Sequence, residues 1–215
     1  MRSSATVKAQ YAVLDLRADQ LDHPEWQRAQ PVQIRHYWSG EAAPQERWAD
    51  ARLLWSDKAL AVRFVCVQKE PMVVSFNSQT ATKTLGLWDR DVCEIFLAPD
   101  PTDVHRYFEF EAAPTGEWID LAISWKQDGR ETDSTFESGM TVAAKTENEL
   151  VTIGMRIPWS DSICKPVGGD QWRVNLFRCV GAGENRGYLS WQPTLTQKPN
   201  FHVPEVFGCV TFVEG

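Results

Sequence analysis

Three glutamates in two strand-like segments are the residues whose spacing could support chemistry. Glu94 lies in the middle of VCEIFLA (Val92–Ala98), and Glu109 and Glu111 lie two residues apart in YFEFE (Tyr107–Glu111). Side chains two residues apart in a strand share a face and stand about 6.6–7 Å apart. An unpaired carboxylate in mid-strand is costly, so each must meet water, a ligand or a cation.

Two interpretations of these glutamates follow from their neighbours. Arg63 and Arg178, in other predicted strands, are the cations that could pair with Glu94 in a structural ion pair. Alternatively, Phe108 and Phe110 pack inward from the opposite face of their strand. The glutamate face is then either a solvated sheet surface or a polar binding groove.

A glycosidase is the alternative that three carboxylates raise. The expected distance between Glu109 and Glu111 is close to the distance between the two catalytic carboxyl groups of inverting glycosidases, about 6.5–9.5 Å. Adjacent carboxylates on one face nevertheless approach from one side, whereas hydrolysis needs them on both sides of the bond, a role that only Glu94 could fill. Nucleophilic catalysis has no support, because no nucleophile elbow is present and the histidines are scattered: His23, His36, His105 and His202.

Short alternating segments separated by turn residues dominate the chain and predict an all-β fold, a sandwich or a barrel. The predicted strands are Ala59–Gln68, Val92–Ala98, Tyr107–Glu111, Trp118–Ile123, Leu150–Ile157, Trp172–Cys179 and Phe207–Phe212. Helix is predicted only as short turns, around Asp22–Arg28 and after Pro158. With no repeat or linker, residues 1–215 are predicted to form one domain.

Composition excludes several classes of partner. The net charge of -7 argues against nucleic acid, whose phosphates need clustered Lys and Arg. Nothing approaches the about 18 apolar residues of a membrane span. No signal peptide is evident in Met1–Val13, so a cytoplasmic location is the default expectation.

No metal or cofactor is predicted. The five cysteines are odd in number and lack CxxC spacing, which argues against a zinc site. Asp100 and Asp103 in a Pro-rich turn fall short of the about six to eight oxygens that calcium needs.

Two long connections, Lys69–Arg90 and Gly181–Val206, carry aromatic and polar residues rather than Gly/Ser filler. Loops of this length in a compact domain often carry function. Trp88 lies in the first and Phe201 in the second. A ligand site between these loops is therefore one interpretation, and a pair of covering loops is the other.

An ordered set of segments from Leu53 to Phe212 resembles the family 9 carbohydrate-binding modules and their stand-alone relatives. The segments are DVCEIFL, YFEFEAAPTGEWIDLAI, MRIPWSDSI, WRVNLFR, YLSWQPT and FHVPEVFGCVTF. The resemblance implies an immunoglobulin-like antiparallel β-sandwich with few short helices. It also implies non-catalytic binding of a mono- or oligosaccharide, held between two aromatic rings with polar side chains reading its hydroxyls.

Four positions match the family's binding residues. Trp88, shortly before the EIF strand, and Phe201, just before PEVFG, match the two clamp aromatics. Glu94 matches the family's acidic residue that hydrogen-bonds to sugar hydroxyls. Asn175 matches an amide residue with the same role, which is Gln in the best-known members. Trp191 is the alternative candidate for the second clamp aromatic, although its strand-like sequence context is more typical of a residue packed in the core.

Three other site positions depart from the family pattern. Glu109 and Glu111 stand where the resemblance implies an Arg and an Asn, and Lys198 stands where it implies an Asn. The two glutamates shift the local charge by about -3 and Lys198 returns about +1. The site is thus predicted to repel anionic sugars, tolerate neutral ones and favour amino sugars or a cation. The alternative is a degenerate pocket in a protein-interaction domain, with Arg63 or Arg178 neutralising the carboxylates.

Overall fold

Residues 5–214 are described by the computed structural model, and within them fourteen β-strands and five 3₁₀ helices make up the secondary structure. The strands are β1 (Thr6–Tyr11), β2 (Val32–Ile34), β3 (His36–Tyr37), β4 (Ala49–Trp55), β5 (Ala59–Val67), β6 (Val92–Ala98), β7 (Arg106–Ala112), β8 (Trp118–Lys126), β9 (Gly129–Asp133), β10 (Thr141–Glu147), β11 (Leu150–Pro158), β12 (Gln171–Val180), β13 (Gly187–Ser190) and β14 (Gly208–Val213). The 3₁₀ helices are Pro24–Arg28, Gln45–Arg47, Leu87–Asp89, Gly183–Asn185 and Pro204–Val206. None of the helices in this part of the chain is long and apolar enough to cross a membrane.

The strands form one continuous curled sheet. Its order is β10-β11-β5-β4-β1-β14-β12-β6-β7-β8-β9, with β2 on β4 and β13 bridging β12 to β3. The all-β prediction is confirmed. The expectation of a fully antiparallel sandwich is corrected by β1, which pairs in parallel with both β14 and β4 and so joins the two halves. The immunoglobulin-like arrangement is not confirmed.

The two halves of the sheet face each other across the main apolar core. β5 and β6 are separated by several strands in the sheet order, yet Cys66 Sγ and Cys93 Sγ lie 3.3 Å apart. Such a contact is possible only between opposed layers. Burial of large apolar side chains from both layers supplies the main favourable term in folding. Among them are Phe64, Ile95, Phe110, Ile153, Leu176 and Phe212.

A second apolar cluster lies on the outer face of β6, β7, β8 and β12, and it surrounds the predicted site. It includes Val92, Phe96, Tyr107, Leu121, Phe177, Phe201 and Phe207. The predicted alternation is confirmed, because Cys93, Ile95 and Leu97 pack into the main core while their neighbours face the second cluster. Glu94, Glu109 and Glu111 therefore point into an apolar layer instead of a solvated surface.

All seven predicted strands are present, and the seven others were missed. The connection Gly181–Val206 is not structureless, since it contains β13 and two 3₁₀ helices. The expected turn of helix near Asp22–Arg28 is a 3₁₀ helix at Pro24–Arg28. The helix expected after Pro158 is absent, and that segment, within the described residues, is a bend.

Candidate functional site

A cavity of about 460 Å³ opens on the outer face, between the two long connections. Its lining combines acidic, aromatic and hydrogen-bonding side chains: Trp88, Asp89, Glu94, Phe96, Glu109, Leu121, Arg130, Thr132, Cys179, Tyr188, Pro199, Asn200, Phe201 and His202. A second depression of about 730 Å³ lies along β7 to β9 and contains none of the three glutamates. The smaller cavity is the candidate site, because predicted residues from both loops and from the sheet converge there.

Strand pairing brings the three glutamates together. Glu94 on β6 is directly opposite Glu111 on β7, and Glu109 is directly opposite Phe96 on the next same-face row. Each glutamate offers an oxygen within 4.8 Å of the others. Glu94 and Glu109 are 2% and 4% exposed and line the cavity, whereas Glu111 is fully buried beneath them.

Burial sets the charge of this glutamate cluster. Desolvation raises the pKa of Glu94 and of Glu111 well above the ordinary value, and neighbouring carboxylates add to both shifts. Desolvation also raises the pKa of Glu109. Like charges directly opposite across a strand pair are destabilising, so the free protein retains protons here. Among the described residues, one group of acidic or metal-ligating side chains has its atoms close enough together to hold a cation, and it consists of these three glutamates.

Neither arginine considered from the sequence neutralises the glutamates. Arg63 donates to Leu21 O at 2.8 Å and lies over the Trp26 ring. Arg178 donates to Gln68 Oε1 at 2.6 Å and to the backbone carbonyls of residues 47 and 48. Arg178 is opposite Cys93 on β6, so alternation turns it away from Glu94. The ion-pair interpretation is therefore wrong for these partners.

The two predicted clamp aromatics both line the cavity but differ in setting. Trp88, in the 3₁₀ helix before β6, is 43% exposed. Its carbonyl accepts a hydrogen bond from Arg186 at 2.7 Å, which fixes the loop. Phe201 is 8% exposed and stacks on Phe177 with ring centroids 4.0 Å apart. Trp191, the alternative plate, packs against the main core instead.

Asn175 and Lys198 are not brought to the cavity. The Asn175 side chain is buried and bound to backbone: Nδ2 donates to Gln192 O at 2.9 Å, and Oδ1 accepts from the amides of Leu176 and Gln192. The amide therefore holds the chain after β13 against β12 and is not directed at a ligand. Lys198 is exposed on the loop and does not line the cavity. The prediction that Asn175 and Lys198 contact the ligand is therefore wrong.

Among the lining residues that were missed from the sequence are Arg130, Thr132, Tyr188, Asn200 and His202. The first two lie on β9, whose GRETD sequence lacks the apolar alternation that identifies a strand. Asn200 and His202 flank Phe201, and that adjacency was the available signal.

His202 contacts the glutamate cluster without adding charge. Its Nδ1 is 2.9 Å from the Tyr107 hydroxyl and its Nε2 is 3.8 Å from Glu109 Oε2. Burial, with the nearby charge of Arg130, lowers the pKa of His202 to about 3. The imidazole is therefore neutral at physiological pH, and it can orient a ligand by hydrogen bonding only.

Comparison with known proteins gives one family and a consistent fold. A family model described as carbohydrate family 9 binding domain-like matches residues 19–215. A proposed carbohydrate-binding protein from Bacteroides uniformis is similar in structure, with a TM-score of 0.75 and 17% identity, covering 98% of this chain and 100% of that one. Two structures of a family 9 carbohydrate-binding module from Caldicellulosiruptor kristjanssonii are also similar. The glucose complex has a TM-score of 0.67 at 17% identity, covering 98% of this chain and 97% of that one. The cellotriose complex has a TM-score of 0.66 at 18% identity, with 98% and 95% covered. None of the curated proteins searched matches.

Proposed function

We propose that this chain, which belongs to the carbohydrate family 9 binding domain-like family, binds a mono- or oligosaccharide in the cavity beside Trp88. The observation that carries the proposal is the meeting of Trp88, Phe201 and Glu94 in one cavity, from two loops and a strand far apart in sequence. A flat Trp-rich face would have favoured a protein partner instead. An open cavity with aromatic walls and polar groups at its floor favours a small ligand.

The chemistry of a pyranose fits this lining. A pyranose ring has an apolar face of C–H groups, which an aromatic ring can cover, and a rim of hydroxyls. Trp88, with 43% of its surface exposed, is the plate with a ring free to cover that face. Phe201 lines the same cavity and is supported from behind by Phe177.

The polar side chains that line the cavity are the groups that can hydrogen-bond to the sugar hydroxyls. Carboxylates accept hydrogen bonds from sugar hydroxyls, and amides and imidazoles can donate or accept. Glu94 and Glu109 at the floor, with Asn200 and His202 from the second loop, are the residues placed to do this. Glu111 acts from beneath them, through charge.

The family is a non-catalytic carbohydrate-binding one, and the geometry of the glutamates agrees with binding. Their oxygens converge to within 4.8 Å on one floor. Retaining glycosidases separate their carboxyl groups by about 5–5.5 Å and inverting ones by more, with the scissile bond between them. Glu94 and Glu109 cannot lie on both sides of a bond, because they project from neighbouring strands of one face.

Titration calorimetry with glucose and with cellotriose tests the proposal, since neighbouring structures contain these two sugars. We expect saturable binding, and no chromophore release from a panel of aryl glycosides above that of the Glu94→Gln variant. Turnover abolished by that substitution would establish a glycosidase. Failure to bind either sugar or any member of a glycan array would refute carbohydrate binding.

A further inference from the structure

The floor of the cavity holds three carboxyl groups that no neighbouring cationic side chain pairs with. Among the described residues, the one ion-pair contact of the glutamate cluster is that of Glu109 with His202, which is neutral. Within the described part of the chain, both carboxyl oxygens of Glu111 and Oε2 of Glu109 are buried and accept no hydrogen bond from outside the glutamate cluster. Glu109 and Glu111 interact with each other. A buried carboxylate without a donor is costly, so the free protein holds protons on these groups.

The nearest arginines influence the cluster from a distance. Arg186 is tied to the carbonyls of Gly181, Trp88 and Arg90, although its charge reaches Glu94. Arg130 lines the cavity and acts on Glu109 in the same way. Neither guanidinium forms an ion pair with the glutamates among the contacts of residues 5–214. A small cation that reaches the floor would pair with these carboxyl groups.

We propose that the cavity selects a sugar bearing a protonated amine, an amino sugar of the glucosamine type, over the corresponding neutral sugar. This inference depends on the proposed carbohydrate binding and names the class of sugar. An ammonium group carries one positive charge and three N–H donors. Charge-assisted N–H···O bonds of about 2.7–2.9 Å to three tetrahedrally placed acceptors put those acceptors about 4.6 Å apart. The three glutamates offer one oxygen each within 4.8 Å of one another. Glu94 and Glu109 line the cavity and can accept from the ammonium directly, while the fully buried Glu111 lies behind them and adds its charge.

Other ligands satisfy the floor less well. A neutral hydroxyl donates one hydrogen bond and brings no charge, and a uronic acid adds a further carboxylate to the three already there. A divalent metal ion would balance the charge. Asp89, Thr132 and Asn200 add oxygens to the lining, but Phe96, Leu121, Cys179 and Phe201 also line the cavity, and a metal ion makes no use of these apolar surfaces. The same apolar surfaces suit the ring of a sugar.

Calorimetry at pH 6, where an alkylammonium is protonated, with glucosamine, N-acetylglucosamine, glucose and glucuronate tests the inference. We expect glucosamine to bind at least tenfold more tightly than glucose. N-acetylglucosamine, with the same skeleton but no charge, should gain nothing over glucose, and glucuronate should bind most weakly. Binding of glucosamine should also release protons from the glutamates, seen as different apparent heats in two buffers of unlike ionisation enthalpy.

The Glu109→Gln and Glu111→Gln variants separate charge from shape. Each keeps the side-chain volume and should lower the preference for glucosamine over glucose towards one. The measured quantity is the ratio of the two affinities within each variant, because Glu109 is also placed to contact the hydroxyls of a neutral sugar. If glucose binds the wild-type protein but glucosamine binds no better, the inference is wrong and carbohydrate binding stands. If none of the four sugars and no cellotriose binds, carbohydrate binding itself fails and this inference with it. Binding of Ca²⁺ or Mn²⁺ alone that abolishes the glucosamine preference would overturn the inference in favour of a metal site.

Discussion

Phe201 stacks on Phe177 with their ring centroids 4.0 Å apart and their planes 13° from parallel. One face of the Phe201 ring is therefore occupied by protein, and the ring belongs to the second apolar cluster. Trp88, by contrast, leaves 43% of its surface exposed. Phe201 is thus packed into the fold, whereas Trp88 keeps an exposed surface in the cavity.

Replacing the two aromatics should separate binding from stability. Trp88→Ala should weaken sugar binding by about 1–3 kcal/mol, as for loss of an aromatic anchor, and leave the melting temperature nearly unchanged. Phe201→Ala should lower the free energy of unfolding by about 3–5 kcal/mol, because it opens a void beside Phe177. Calorimetry and urea unfolding measure the two effects. Trp125→Ala is the matched control, since Trp125 is 37% exposed and lies outside the cavity. Unfolding of the Trp88 variant would show that the ring is structural.

The sequence predicted the strands with strong apolar alternation, and the structure shows why others were missed. β6 was predicted with its exact ends because every second residue packs into the main core. β9 and β10 are edge-side strands with few buried residues, so their sequences carry little apolar period. β1 was also missed. Its parallel pairing joins the two halves of the sheet and depends on contacts with β4 and β14, which no local sequence pattern indicates.

The three carboxyl groups of the candidate site were predictable from the sequence, but their burial, which keeps them protonated, and their neighbours were not. Alternation alone placed Glu94, Glu109 and Glu111 on faces that could meet. It could not exclude Arg178 as a partner, because the direction of that side chain depends on the register of β12 against β6. Asn175 was assigned to the site by family position, yet its amide is occupied by Gln192. Such side-chain to backbone bonds depend on where a loop passes, which is a tertiary property.

Arg178 should prove to be a structural residue. Arg178→Lys keeps the charge but removes the forked donor geometry, which leaves Gln68 and two backbone carbonyls short of donors. We expect the free energy of unfolding to fall by about 2–4 kcal/mol, as for loss of buried hydrogen bonds. The affinity for sugar should be unchanged in the fraction that folds. A large loss of affinity with intact stability would restore Arg178 as a partner of the glutamates. Arg63→Lys, at a half-buried arginine bound to Leu21 O, is the comparison.

Cys66 and Cys93 lie where a covalent bond between the two layers could form. Their sulfurs are 3.3 Å apart, and both side chains are buried. Refolding in oxidised glutathione should join them through two thiol–disulfide exchanges, releasing two molecules of reduced glutathione. By loop-closure entropy this bond should stabilise the fold by about 3–4 kcal/mol.

The cross-link is measurable as a loss of two thiols in Ellman titration of the denatured chain and as a higher urea midpoint that dithiothreitol reverses. Cys164→Ser is a suitable control, because Cys164 is exposed and can form mixed disulfides. Should both core thiols stay free after oxidative refolding, the layers are further apart than the contact implies.

The glutamate cluster should make stability fall as pH rises. Burial, and then the charges of Glu94 and Glu109, raises the pKa of Glu111 well above its ordinary value. The folded chain therefore binds more protons than the unfolded chain at every pH between the ordinary glutamate pKa and the raised one. Stability is greatest below that window and declines through it. The other groups facing the cluster are Cys179, Arg186, Arg130, Asp89 and the neutral His202.

Glu111→Gln removes one titrating group and keeps its shape. At pH 4 the variant and the wild-type protein should unfold at similar urea concentrations, because Glu111 is protonated in the folded state and mostly so in the unfolded one. At pH 8 the variant should be more stable, by about 1–3 kcal/mol, since it avoids either burying a carboxylate or holding a proton against a rising pH. Glu46→Gln, at an exposed glutamate, should show no such divergence. A difference between variant and wild type that stays constant from pH 4 to pH 8 would mean that Glu111 is already ionised and balanced, and that the floor of the cavity has a cation that the contacts of its side chains do not reveal.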